Sequence, residues 1–242
     1  MAFSVEKNLL WLDKALLVVD KPAGLPTLVD GYDPAAPYLL GALQEVYGKL
    51  WVVHRLDRET SGVIVFARTA DAHRALNAQF EKRVAAKLYH ALVKGVTEWQ
   101  EKLVELPLRP DGDRAHRTVI DLVAGKSAAT QLRLLERFRS YALVEAEPKT
   151  GRTHQIRAHL AAIGHPIVAD ALYGGGSCLL LSDLKPDYKG EKPNQAPLLG
   201  RLGLHARLLA IEHPETRETL RFEAPYSKDM SAALEQLRKY GS

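Results

Sequence analysis

His54-Arg55-Leu56-Asp57-Arg58-Glu59-Thr60-Ser61-Gly62, running straight into Val63-Ile64-Val65-Phe66-Ala67, is the stretch from which the rest of the chain can be read. The second half is apolar and β-branched and reads as a buried strand. The polar half is then a loop held against a rigid core, the usual mounting of a catalytic carboxylate. An arbitrary loop aspartate is more often a turn residue bonding its own backbone, as Asp57 or Thr60 could do here. Arg55 and Arg58 weigh against that reading, because nearby cations lower a carboxylate's pKa and keep it ionised, as a nucleophile requires.

Upstream of this loop, Ala15-Leu16-Leu17-Val18-Val19-Asp20 is a short apolar strand closed by the turn Lys21-Pro22-Ala23-Gly24. A loop over 25–37 follows, then a short helix over 39–46 with Leu39, Leu40, Leu43 and Val46 as its apolar positions, and Trp51-Val52-Val53 leads into the polar stretch. Downstream, Thr69 caps a predicted helix reaching Phe80, whose Ala72, Ala75, Leu76 and Phe80 form a stripe that packs behind the loop. Lys87-Leu88-Tyr89-His90-Ala91-Leu92-Val93 switches to period two, with Leu88, His90 and Leu92 on one face and Lys87, Tyr89, Ala91 and Val93 on the other.

Residues 101–138 read as β segments broken at Pro110-Asp111-Gly112-Asp113 and Ala124-Gly125-Lys126. Arg109, Arg114, His116, Arg117 and Lys126 in this region suit either a loop reaching over a polyanion or a solvated face. Gly125-Lys126-Ser127 is not a phosphate loop, because position 120 is Ile where that motif needs Gly. A strand over 141–147 turns through Pro148-Lys149-Thr150-Gly151 into a helix through His154-Gln155-Ile156-Arg157, with Thr153 as its expected cap and Ile156, Leu160 and Ile163 as its buried stripe. Residues 174–199 hold Gly174-Gly175-Gly176, Pro186, Gly190, Pro193 and Pro197 and read as an irregular surface insertion. A hairpin over 204–222 and a helix capped by Ser227, about 227–240, complete the chain. Strands with few helices between them predict an α+β fold with a mixed, largely antiparallel sheet and flanking helices.

His54-Arg55-Leu56-Asp57 with the following Thr60-Ser61-Gly62 resembles the signature loop of the RluA-type RNA pseudouridine synthases. Matching segments occur in that family's order from Leu16–Val19 to roughly Pro225, including the Lys21-Pro22-Ala23-Gly24 turn. The resemblance implies the pseudouridine synthase catalytic fold with an RNA-binding cleft beside the loop, and it makes Asp57 the nucleophile. Tyr89 matches the tyrosine that lies over the target base, offering a stacking face and a hydroxyl for proton transfer. Lys149-Thr150-Gly151-Arg152-Thr153-His154-Gln155-Ile156-Arg157 matches the segment whose final arginine pairs with the catalytic aspartate. A guanidinium can grip a carboxylate bidentately and keep it ionised.

Leu202-Gly203-Leu204-His205-Ala206 matches the segment that closes the pocket with an aliphatic side chain, taken as Leu204 with Leu202 as the alternative. The family often carries a bulkier residue where Gly203 stands. Arg55 is expected to enter the gap left by a flipped uridine, and Arg152 to meet an RNA phosphate near a helix N-terminus. Flipping is least costly where a base is already unpaired, so a stem-loop of ribosomal or transfer RNA is the expected substrate. The isomerisation needs no cofactor and no metal. Relatives often carry a small RNA-binding domain ahead of the catalytic one. With the first strand expected at Leu16, recognition is assigned to the catalytic domain itself.

Composition is compatible with this assignment. The 242 residues, 46% hydrophobic, can form one catalytic domain with a substantial core, about 15–225. Lys and Arg total 33 against 29 Asp and Glu, a formal charge of +4 that tolerates a polyanionic partner without requiring one. Cys178 is the only cysteine, which excludes an internal disulfide framework and multi-cysteine zinc sites and favours a reducing, cytoplasmic setting. No apolar run approaches the roughly 20 residues of a membrane span. A monomer without an obligatory protein partner is expected.

Three rival readings fare worse. Metal hydrolysis would draw on the 9 histidines, but His154 and His159 are five apart on one predicted helix, which splays them. A glycoside hydrolase would need a second carboxyl group as acid; Glu59 is too close in sequence to settle the matter, and no clear second candidate emerges. A non-catalytic RNA-binding module would gain nothing from a carboxylate among phosphates, which it repels.

Overall fold

The computed structural model describes residues 4–31, 33–185, 188, 190 and 195–241. In chain order its elements begin α1 (Val5–Asn8), β1 (Leu9–Leu12), β2 (Leu16–Lys21), α2 (Leu39–Tyr47), β3 (Trp51–Val52), β4 (Ser61–Ala67), α3 (Ala70–Glu81) and β5 (Ala86–Lys94). They continue β6 (Glu101–Glu105), β7 (Leu108–Arg109), β8 (Val119–Ile120), β9 (Ala129–Arg137), β10 (Tyr141–Pro148), α4 (Gln155–Ala162), α5 (Leu181–Leu184), β11 (Leu204–Glu212), β12 (Thr219–Glu223) and α6 (Lys228–Tyr240). The fold is α+β, with strands in mixed pairing and flanking helices, and it divides into two compact units: Met1–Leu88 with His205–Pro225, and Tyr89–Leu204 with Tyr226–Ser242.

In the first unit β4 is central, and all seven of its residues are buried, as its apolar run requires. β2 pairs antiparallel along its length, from Leu16↔Ala67 to Lys21↔Gly62. Its opposite edge is shared: β11 runs parallel to the start (His205↔Ser61, Ala206↔Gly62), and β3 runs antiparallel to the end (Trp51↔Ala67). The polar loop therefore leaves β3 at one end of β4 and re-enters at the other, where β11 has taken the edge. Gly62 is demanded by this approach. Its φ is +114°, and a Cβ there would lie 2.2 Å from the Ala206 carbonyl oxygen. One strand escapes the sequence reading, since β1 lies ahead of Leu16 and pairs with β2.

α3 starts as expected, with the Thr69 hydroxyl accepting from Ala72 N at 3.1 Å. In α2 only Leu39 and Leu43 of the expected stripe are buried, while Val46 is exposed.

In the second unit β10 pairs antiparallel with both β5 and β9, and β6 pairs with β9. The alternation of β5 holds: Ala91 and Val93 enter one apolar cluster, with Tyr89 packed against it, and Leu92 enters another with Met230, Leu234 and Leu237 of α6. The 174–199 segment is less peripheral than its breakers imply. Leu179 and Leu199 form a β-bridge, and both join Leu184 in the cluster under α6. Pro186 and Pro193 lie outside the described residues.

Ser227 stands at the cap position of α6, but its hydroxyl accepts from Arg201 Nη2 rather than from the helix backbone. Thr153 is not the cap of α4. That helix begins at Gln155 behind His154, whose backbone is left-handed with φ 50°. The Gln155 side chain organises the entry instead: it accepts from Thr150 Oγ1 at 2.6 Å and Arg152 N at 3.1 Å, and donates to Ala129 O and Thr130 Oγ1, both at 2.9 Å. A buried amide with all these partners outweighs a threonine cap.

Candidate active site

The Asp57 loop is fastened to the first unit on every side. Lys21 ends β2 fully buried, and its ammonium donates to the carbonyls of Pro22 (2.9 Å), Leu25 (2.7 Å) and Arg58 (3.0 Å). Arg58 O also accepts from Gly24 N at 2.9 Å, and Arg58 Nε donates to Gly24 O at 3.2 Å. On the other flank the buried Thr27 hydroxyl donates to Leu56 O at 2.9 Å and accepts from Leu56 N at 3.3 Å. Thr60 N donates to Asp57 O at 3.1 Å, which closes a turn. Asp57 itself is half-buried, and Arg55 is exposed. The Arg58 guanidinium, expected to act on Asp57, also stands 3.8 Å from Glu59 in an exposed pair.

Two histidines brace the loop. His54 stacks on Phe80 of α3 with centroids 4.7 Å apart, and its Nε2 accepts from Val65 N at 3.2 Å, so the proton sits on Nδ1. Burial, helped by the Lys87 charge, pulls its pKa down to about 3, so it is neutral. His205 Nδ1 accepts from Ser61 Oγ at 2.9 Å and its Nε2 donates to Ala224 O at 3.2 Å, locking the start of β4 to the chain after β12.

In the second unit Tyr89 lies opposite Ala146 on β10 and packs against the cluster that holds both Leu202 and Leu204. Gly203 between these leucines is bonded on both sides, its N–H to Val168 O and its carbonyl to Leu92 N, each at 2.9 Å. A Cβ there would come within 3.2 Å of Val168 O and Leu199 Cδ2, so a larger residue would require these neighbours to shift by a few tenths of an ångström.

Arg157, on α4, forms a bidentate pair with Asp170: Nε to Oδ2 and Nη2 to Oδ1, both 2.8 Å. The Tyr173 ring lies 4.9 Å from the guanidinium carbon, and Tyr173 N donates to Asp170 Oδ1 at 3.3 Å. The Tyr173 hydroxyl bonds both Thr118 O (3.2 Å) and Thr118 N (2.9 Å), and lies 3.1 Å from His154 Nδ1. Residues with positive φ stand beside each half of this pair, His154 at 50° and Ala169 at 59°, the kind of strain that gathers at functional sites. Sequence reading missed Asp170 and Tyr173. The one signal available was an acid closing the apolar run Pro166-Ile167-Val168-Ala169.

Arg152 is tied down through Nε to Ser127 O at 3.2 Å. Three basic side chains around β7 and β8 have acidic partners nearby: Arg109 with Asp121 (2.6 Å), Arg117 with Asp113 (2.6 Å), and His116 with Asp111. Arg114 and Lys126 are exposed. His159 is committed to the core, between Thr130 Oγ1 and Leu106 O at 2.9 Å each, and burial lowers its pKa. Among the described residues no three His, Cys, Asp or Glu side chains are grouped to hold a metal ion, and no helix is long and apolar enough to cross a membrane.

The Asp57 loop is thus clamped to a buried central strand in an α+β fold. Residues 15–162 match the RNA pseudouridylate synthase family, and the chain belongs to it, in the RluA-type branch. It is 35% identical to the ribosomal large subunit pseudouridine synthase D of Pseudomonas aeruginosa, covering 99% of this chain and 74% of the relative. Against the ribosomal large subunit pseudouridine synthase C of Pasteurella multocida it is 37% identical, covering 98% and 70%. The solved structure of human RNA pseudouridylate synthase domain containing 4 superimposes with a TM-score of 0.74 at 28% identity, covering 97% of this chain and 94% of that one. The protein is an RNA pseudouridine synthase.

Proposed function

We propose that this synthase isomerises a uridine in large-subunit ribosomal RNA, with Asp57 as nucleophile and the target base flipped out of its stack. The observation that carries the reading is the loop of Asp57, whose neighbours on both sides are pinned by buried donors from 21–27. A nucleophile has to be held in this way. The ribosomal substrate is favoured over transfer RNA because the relatives from Pseudomonas aeruginosa and Pasteurella multocida both bear large-subunit names.

The reaction breaks the bond from the ribose to the uracil nitrogen and makes one from the ribose to carbon 5. The carbon-5 proton departs and the nitrogen gains one, so nothing is oxidised and no water is consumed. In this reading Tyr89 stacks on the base and serves proton transfer, and Arg157 is the guanidinium of the catalytic set. Leu204 closes the pocket, Arg55 fills the vacated stack, and Arg152 meets phosphate. The whole chain acts as one catalytic domain, a cytoplasmic monomer needing no protein partner.

Tritium release from unmodified ribosomal and transfer RNA labelled at uridine carbon 5 tests this, with wild type beside Asp57→Asn and no metal or nucleotide added. Release from ribosomal RNA by the wild type alone is expected. Release by Asp57→Asn at the wild-type rate would remove Asp57 from the mechanism, and release from transfer RNA only would overturn the substrate.

A further inference from the structure

The two peptide planes that frame the Asp57 Cα are both held by hydrogen bonds. The plane after it is held through Asp57 O, which accepts from Thr60 N at 3.1 Å within the loop's own turn. The plane before it is held through Leu56 O, which accepts from the Thr27 hydroxyl at 2.9 Å. The same oxygen on Thr27 accepts from Leu56 N at 3.3 Å, so one side chain closes a two-point bridge on the residue preceding the nucleophile. Thr27 is 3% exposed and Leu56 5% exposed, so no bulk water competes for these bonds. Thr27 is itself fixed through the preceding carbonyl and its own: Leu39 N donates to Pro26 O at 2.9 Å and Leu40 N to Thr27 O at 3.1 Å, which ties this turn to the start of α2.

We propose that Thr27 is a positioning residue for the reaction: its hydroxyl sets the backbone torsions of Asp57 and so aims the carboxylate. This rests on Asp57 being the nucleophile. The φ of Asp57 is defined by the peptide plane that Thr27 holds, and rotation of that plane swings the carboxylate about the Cα. A displacement of about 1 Å at a reacting group can cost on the order of 100-fold in rate. A hydroxyl with one proton to give and one lone pair engaged fits both backbone groups of Leu56 at once. Serine can make the same two bonds. Valine fills the same volume and makes neither.

The test is single-turnover tritium release on saturating carbon-5-labelled ribosomal RNA, normalised to folded protein, beside RNA binding by filter retention. Thr27→Val, Thr27→Ser and Asp57→Asn are compared with wild type. Thr27→Val is expected to react about ten-fold or more slowly with RNA affinity within about two-fold of wild type, and Thr27→Ser to recover to within about three-fold. A residue that only stabilises the fold would change the melting temperature and leave the normalised rate alone. Should the valine protein not fold, Thr27→Ala is measured and judged by the same criteria. Asp57→Asn inactive with Thr27→Val at full rate, or with Thr27→Ser no better than Thr27→Val, overturns the role of Thr27 by itself. Asp57→Asn active at the wild-type rate overturns the nucleophile and the positioning role with it.

Discussion

Replacing Asp170 with alanine removes one half of a buried bidentate ion pair. The Asp170 side chain is 1% exposed and that of Arg157 12%, so the guanidinium left behind has little water to solvate it. Taking one partner from such a pair costs about 3–5 kcal/mol. Tyr173 N loses an acceptor at the same time. For a chain of this size about 1 kcal/mol moves Tm by roughly 2–4 °C, so Asp170→Ala is expected to melt about 6–20 °C below wild type. Thermal unfolding followed by circular dichroism and urea unfolding followed by fluorescence both report the change. The double variant Arg157→Met with Asp170→Leu is expected to recover part of the loss, because it removes both charges of this pair and keeps the volume. An Asp170→Ala protein melting within about 2 °C of wild type would refute the reasoning, as would a double variant less stable than either single change.

Other perturbations address the loop and its braces. Lys21→Met takes the charged donor from three carbonyls and is expected to cost about 3 kcal/mol in urea unfolding, where an unchanged midpoint would exclude the anchor. Gly62→Ala must place a methyl 2.2 Å from Ala206 O at a φ of +114°, and is expected to yield insoluble protein or a loss of about 3 kcal/mol or more in thermal melts. His54 is held neutral when folded, so the unfolded chain binds the extra proton as acid is added. Its contribution is fully present above the unfolded value of 6.5 and declines as pH falls towards about 3. From pH 7 to pH 5 this amounts to about 2 kcal/mol, and His54→Gln is expected to remove that slope in urea melts at the two pH values.

Where a single element's pattern decides the outcome, the sequence was a good guide. The β4 strand, the Thr69 cap, the period-two face of β5 and the extent of α6 are local, and each appears in place. The order of motifs was equally legible, and with it the class of enzyme. What escaped is interaction at a distance. Nothing in the residues around 27 marks a threonine that bridges Leu56, and Asp170 cannot be matched to Arg157 from one chain. Lys21 looked like turn chemistry and is a buried cation, since a lysine's identity does not disclose three carbonyls gathered around it. Thr153 suits a cap by residue type alone. The helix starts one residue later than that cap implies because Gln155, with partners on β9 and in the turn before it, has the stronger claim.

The parallel pairing of β4 with β11 has a bearing on how the protein is made. Ser61 and His205 are bonded across 144 positions of chain, and the unit that carries Asp57 closes only with His205–Pro225. A growing polypeptide can begin packing the strands of Tyr89–Leu204 long before that closing piece has been synthesised. Contacts this remote in sequence are also slow to form, because loop-closure entropy must be met before they stabilise anything. The Asp57 loop is therefore expected among the last parts of the molecule to take its final shape. Nascent chains released before residue 205 lack the His205 half of that brace, however well the rest of them has folded.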